Sequence, residues 1–196
     1  METDKSLAVQ VPQLRRMTME NRKKLIAFFK ELGFAFDIAR FDDRLIAQKI
    51  VCLLELKGID LGYTCSIYVR GPYSPFLTQD LFEFKNEFEN LKTDSWLSSA
   101  EKETAAELGR IFGLKPVPLE VGATYGYYAL RQNCDPLEAL RHVKRLKPFY
   151  SEAQVALGIS KAKEFLFRPT QKDLEDLKKE TGIWQRASLK QEYLSR

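Results

Sequence analysis

Arg70, Tyr73 and Ser74 lie in the stretch YVRGPYSPFLTQDLFEF, where a cation, a Gly71-Pro72 pair and a Ser74-Pro75 helix start follow one another. Unpaired amides at a helix N-terminus bind anions, so this junction is a candidate cradle for a phosphate, a carboxylate or a partner's acidic side chain. The same residues also fit an architectural role, in which Gly71 and Pro72 turn the chain, Tyr73 packs and Ser74 caps.

Two further groups of charges are candidates for binding. Asp80, Glu83 and Glu87 fall at i, i+3 and i+7 on the helix that follows the turn, an acidic strip beside its apolar seam that a basic partner could grip. The opposite sign gathers at Arg141, Lys144 and Arg145 on a basic helix 136–147. It gathers again in a basic segment 15–24 that contains Arg15, Arg16, Arg22, Lys23 and Lys24. Those cations suit phosphate contacts, but no interleaving of aromatic and basic residues supports base readout.

Catalytic and metal chemistry find little support. His142 is the single histidine, and Cys52, Cys65 and Cys134 have no C-x-x-C spacing, so neither a zinc motif nor a Ser-His-Asp triad is expected. No G-x-x-x-x-G-K-[ST] loop occurs, and no G-x-G-x-x-G follows a strand. The expectation is a protein without metal, cofactor or enzymatic activity.

The elements that must position these residues are mostly helical. Leu25, Ile26, Phe28, Phe29 and Leu32 form one apolar stripe, stopped by Gly33. Asp42 or Asp43 is expected to cap a second helix that carries Ile46, Ile50, Leu53 and Leu54 and ends at Gly58. Residues 63–69 read as a short strand leading into the Gly-Pro turn. Ser74 and Pro75 start a regular helix with Leu77, Leu81, Phe84, Phe88 and Leu91 on its seam. Capping patterns precede three more helices, at Ser98/Glu101, Asp135/Glu138 and Ser151/Gln154. Leu119 to Leu130 is apolar almost all round, as a central helix would be, and Gly122 and Gly126 give it a smooth face for a close neighbour.

The 196 residues are 44% hydrophobic and 12% aromatic, enough for a real core, and the net charge of +4 permits nucleic-acid contact without arguing for it. No apolar run is long enough to span a membrane, and the first residues lack a signal-peptide core. Three cysteines without a close pair suit buried thiols in a reducing cytoplasm. The expected organisation is an extended arm over residues 1–19, a helical core over 20–168, and a C-terminal helix and tail over 169–196. The fold class is mainly α, a single compact multi-helix bundle with one short extended segment.

The motifs RLIAQKIVCLLELKGIDLGY and YVRGPYSPFLTQDL, followed by PLEVGATYGYYAL and LKPFYSEAQVALGISKAKEFL, resemble a prokaryotic group. It holds the YwgA-like proteins and the C-terminal, toxin-binding domain of the DarG antitoxins, and more distantly the SocA-like (Panacea) antitoxin domains. The resemblance covers Arg40 to Phe167. By position it places Gln48 and Lys49 on the group's Q-K pair, Gly71 to Ser74 on its G-P-Y-[SG], and Glu120, Ala123 and Thr124 on its buried helix; Cys52 stands where an aromatic is usual. The resemblance implies that the turn packs on the Gln48 helix as scaffold. It also implies a non-enzymatic module that binds a protein, such as a toxin or a nucleic-acid-acting enzyme, in the manner of a nucleic-acid mimic. The alternative is a nucleic-acid-binding protein that uses the two basic regions.

Overall fold

A computed structural model describes residues 19–167, and these form a mainly helical, compact fold. The stripe ending at Gly33 makes α1 (Met19–Glu31), and α2 follows (Phe41–Leu56). A hairpin of β1 (Ser66–Tyr68) and β2 (Gly71–Tyr73) leads into α3 (Pro75–Glu83) and α4 (Lys85–Glu89). The rest is α5 (Ser99–Phe112), α6 (Pro116–Gly126) with a π-helical turn over Tyr127–Arg131, α7 (Pro136–Leu146) and α8 (Glu152–Leu166). Of the arm expected over residues 1–19, residues 1–18 with Arg15 and Arg16 lie outside the described residues, as do the C-terminal helix and tail, while Met19 already belongs to α1. Among the described residues, no helix is long and apolar enough to cross a membrane.

Helix α6 is the central wall. Its Pro118–Gly126 stretch is buried, with α2 on one side and α8 on the other. A Cβ on Gly122 would meet the Phe112 ring of α5 at 2.7 Å and the Gly158 carbonyl of α8 at 3.2 Å, and one on Gly158 would meet Val121 at 2.5 Å, so the contact of α6 with α8 depends on both residues lacking a side chain. Gly126 likewise faces Leu166. A large core in which Phe29, Phe34, Phe36 and Phe88 meet edge-on or tilted fills the space among α1, α2 and α4 and continues to α5 and α6. A smaller core of Val121, Tyr125, Val143, Val155 and Ile159 joins α6 to α7 and α8.

Several local expectations change. The stretch 63–69 contributes only Ser66–Tyr68 as strand, and Gly71-Pro72-Tyr73 is the second strand rather than the turn. Ile67 stands opposite Pro72 in a two-stranded ribbon, where a proline's missing donor costs no interior ladder bond. The N-cap of α2 is Arg40, without a side-chain cap. Asp43 instead turns back to accept the N–H of Asp37 at 3.0 Å. The long seam from Leu77 to Leu91 is interrupted at Phe84, whose φ and ψ of −108° and 30° end α3 before α4 begins. The caps at Ser98 and Ser151 form reciprocal boxes. Asp135 caps α7 through the amides of Leu137 and Glu138.

The cysteines differ most. Cys52 on α2 and Cys65 just before β1 form a disulfide, with Cα atoms 6.1 Å apart, and Cys134 is half-buried and free. The chain doubles back between α2 and the hairpin, so two residues 13 apart meet without any close spacing in sequence. The inference from unpaired buried thiols to a reducing compartment therefore loses its premise.

Candidate functional site

The hairpin and its flanks are held to α2 by three side-chain links within one turn of that helix. The Gln48 amide brackets Ser74: its oxygen accepts the Ser74 N–H at 2.8 Å, and its nitrogen donates to the Ser74 carbonyl at 3.0 Å and to Thr78 Oγ1 at 2.9 Å. Lys49 Nζ donates to the Pro72 carbonyl at 2.6 Å. Cys52, one turn further along, carries the disulfide. Ser74 is buried, and its Oγ accepts the N–H of Leu77. The Ser74 and Leu77 amides of this candidate anion cradle are thus engaged within the fold, and Arg70 reaches Glu120 instead.

Arg70 sits at the hairpin tip and reaches Glu120 on α6, with NH1 3.4 Å from Oε2. Glu120 is fully buried and accepts three groups: Lys147 Nζ at 2.5 Å, the Tyr150 hydroxyl at 3.0 Å, and Arg70. Thr124, one turn along α6, faces Gly71 so closely that a Cβ there would lie 2.2 Å from Thr124 Oγ1. Gly71 also has φ of +80°, a region that a side chain disfavours. This close approach seats the hairpin against the acid.

The cluster sets three basic side chains, Lys49, Arg70 and Lys147, against one carboxylate. Lys49 and Lys147 are each 1% exposed. Burial pulls the Lys49 ammonium down to about 7, against the pull of Glu120, with Lys147 and Arg70 adding repulsion. Burial also lowers Lys147, opposed by its bond to Glu120. Burial, with Glu120 beside it, raises the Tyr150 phenol to about 12.

Beside this cluster runs a groove of about 270 Å³ between the hairpin, α2 and α3. Gln48, Lys49 and Arg70 line it, and its rim is apolar. Phe41, Tyr68, Val69 and Phe82 are between 53% and 73% exposed there. Arg70, half exposed, lies 5.7 Å from the Phe41 ring and 5.6 Å from that of Phe149. The Tyr68 and Tyr73 rings meet across the strands in a tilted pair, 5.6 Å between centroids.

Of the residues singled out in sequence, Gln48, Lys49, Arg70, Tyr73 and Ser74 are thus brought together. The acidic strip is not a free row. Asp80 accepts a bond from the buried Tyr63 hydroxyl at 3.1 Å, Glu87 pairs with Arg22 at 3.0 Å, and Glu83 is exposed. Burial raises the Asp80 carboxyl despite its tyrosine bond. The basic residues are also engaged: Arg22 lies over the Phe84 ring, Lys23 pairs with Asp94, and Lys24 with Glu101. Lys144 pairs with Glu152, and Arg145 bonds His142, while Arg141 is exposed.

Sequence reasoning did not single out Lys147 and Tyr150, or the exposed apolar rim. The one available signal was Glu120 itself, a carboxylate in an otherwise apolar run that must find cationic partners when buried. Compared with known proteins, the chain matches no family model, no curated protein and no solved structure.

Proposed function

We propose that the protein is a non-catalytic binding module whose groove takes a segment of a partner protein, one that presents a carboxylate beside a large apolar side chain. The observation that carries this reading is Arg70: a half-exposed guanidinium among exposed Phe41, Tyr68, Val69 and Phe82, above a buried cluster with more basic side chains than acids. An apolar patch with one convergent charge is the anatomy of an interaction hot spot. The cation excess selects an acidic partner over a basic one. The resemblance to antitoxin domains makes a toxin the first partner to try. The geometry favours the groove over the strip at Asp80, Glu83 and Glu87 as the contact surface, because two of those three carboxylates are occupied within the fold.

Panning a displayed library of random short peptides on the full chain tests this. The enriched sequences are expected to carry Asp or Glu next to an aromatic or branched residue, and their binding to fall at least tenfold in Arg70→Glu and in Phe82→Ser. Enrichment of basic peptides, or binding unaffected by both substitutions, overturns the reading. Tight binding of nucleic-acid probes, lost steeply with salt and insensitive to Arg70→Glu, transfers it to the basic surfaces.

A further inference from the structure

The chain's single histidine and its single unpaired cysteine stand together, on α7 and in the loop that precedes it. Cys134 precedes the Asp135 cap, Glu138 is one turn into α7, and His142 is one turn further. One ligand atom from each lies within 4.8 Å of the others. Glu138 and His142 share a face of the helix, with His142 Nε2 4.0 Å from Glu138 Oε1. We propose that Cys134, Glu138 and His142 bind a zinc ion, with a thiolate, a carboxylate and an imidazole as ligands and water in the fourth position.

The surroundings are built around these three groups. The π-helical turn Tyr127–Arg131 ends in a loop that returns Cys134 to the helix, its N–H bonded to the Tyr128 carbonyl at 3.0 Å. The Tyr128 ring stacks on the His142 imidazole at 4.1 Å and within 3° of parallel, which fixes the plane of the ring. Tetrahedral zinc with bonds of about 2.0–2.3 Å needs donors about 3.3–3.8 Å apart, so small side-chain rotations close the present spacing. A sulfur, an oxygen and a nitrogen donor suit a borderline cation; magnesium and calcium prefer oxygen alone.

Arg145 sets the competing state. Its guanidinium donates to His142 Nδ1 at 2.7 Å, which puts the ring proton on Nε2, the nitrogen that faces Glu138. Metal binding releases the Cys134 thiol proton to solvent, moves the imidazole proton from Nε2 to Nδ1 and turns the exposed Arg145 away. Arg145 therefore opposes the ion, and removing it strengthens binding.

Cobalt(II) titration of the full chain with the Cys52–Cys65 disulfide intact is the test, followed by competition with zinc. The expected result is one equivalent of cobalt with a thiolate-to-cobalt charge-transfer band, displaced by zinc. The band disappears in Cys134→Ser, affinity falls at least tenfold in His142→Gln and Glu138→Gln, and it rises severalfold in Arg145→Gln. Far-UV circular dichroism of each metal-free variant matching wild type shows that the fold is kept. No charge-transfer band in the wild type, a band that survives Cys134→Ser, or an affinity undiminished by His142→Gln overturns the site. An Arg145→Gln variant that binds no more tightly overturns Nε2 as the nitrogen donor.

Discussion

Lys147 donates to Glu120 across 2.5 Å with both side chains sealed from solvent, and the pair ties the end of α7 to the middle of α6. Taking two charges out of water is costly, so such a pair contributes less by existing than it costs to break.

Removing one partner leaves the other buried and unpaired. Glu120→Gln or Lys147→Met is expected to lower unfolding stability by about 3–5 kcal/mol. The double variant is expected to lose less than the sum of the two. Denaturant unfolding of the three variants forms a double-mutant cycle, and additive losses would contradict the coupling.

Gly71→Ala places a methyl group against Thr124 Oγ1 while holding φ at +80°. The expected cost is about 1–3 kcal/mol. Adding Thr124→Ala relieves the steric part and leaves the backbone part, so the double variant should be more stable than the two single losses predict. Thermal melts of the four proteins measure this.

Lys49 gives stability a pH dependence of known sign. Its ammonium loses its proton near 7 in the fold and at the ordinary, higher lysine value when unfolded, so between those values the unfolded chain holds the extra proton. Stability contributed at this position therefore rises as pH goes from about 7 toward the ordinary lysine range, and is flat below 7. Buried Lys147 acts in the same direction, so the readout is a difference: wild type should gain on Lys49→Met with rising pH across that window. A constant difference would show Lys49 to be fully charged in the fold. An acid bound in the groove favours the charged form, so partner binding should weaken above pH 7.

The disulfide closes a short loop between α2 and β1. Its removal in Cys52→Ala/Cys65→Ala is expected to cost about 3 kcal/mol, mainly by freeing the unfolded chain. Thiol titration of the denatured, non-reduced wild type should find one reactive cysteine, Cys134. Three would refute the link.

The helical class and most helix starts were legible because capping and apolar periodicity are local. Ser74, Ser98, Asp135 and Ser151 each cap as their neighbours demand. The second strand was not legible, because Gly71-Pro72-Tyr73 has turn chemistry and becomes a strand only through pairing with Ser66–Tyr68. The break at Phe84 interrupts a seam that is continuous in sequence. Arg70, Gln48 and Lys49 were visible as candidates, but their common centre, Glu120 with Lys147 and Tyr150, is assembled from α6, α7 and the loop after α7. Such an assembly depends on helix packing, which no spacing encodes. The exposed rim was missed for another reason: Phe82 stands off the Leu77–Leu81–Phe84 seam, and periodicity marks the core face without giving an off-seam aromatic a purpose.

The three attachments of the hairpin to a single stretch of α2, at Gln48, Lys49 and Cys52, bear on kinetics. With its main chain bonded and crosslinked, the lip of the groove is already in place before anything arrives. Ordering entropy lost on association is then small, and encounter requires no prior opening. Partners of different affinity should share nearly the same association rate and differ in how long they stay.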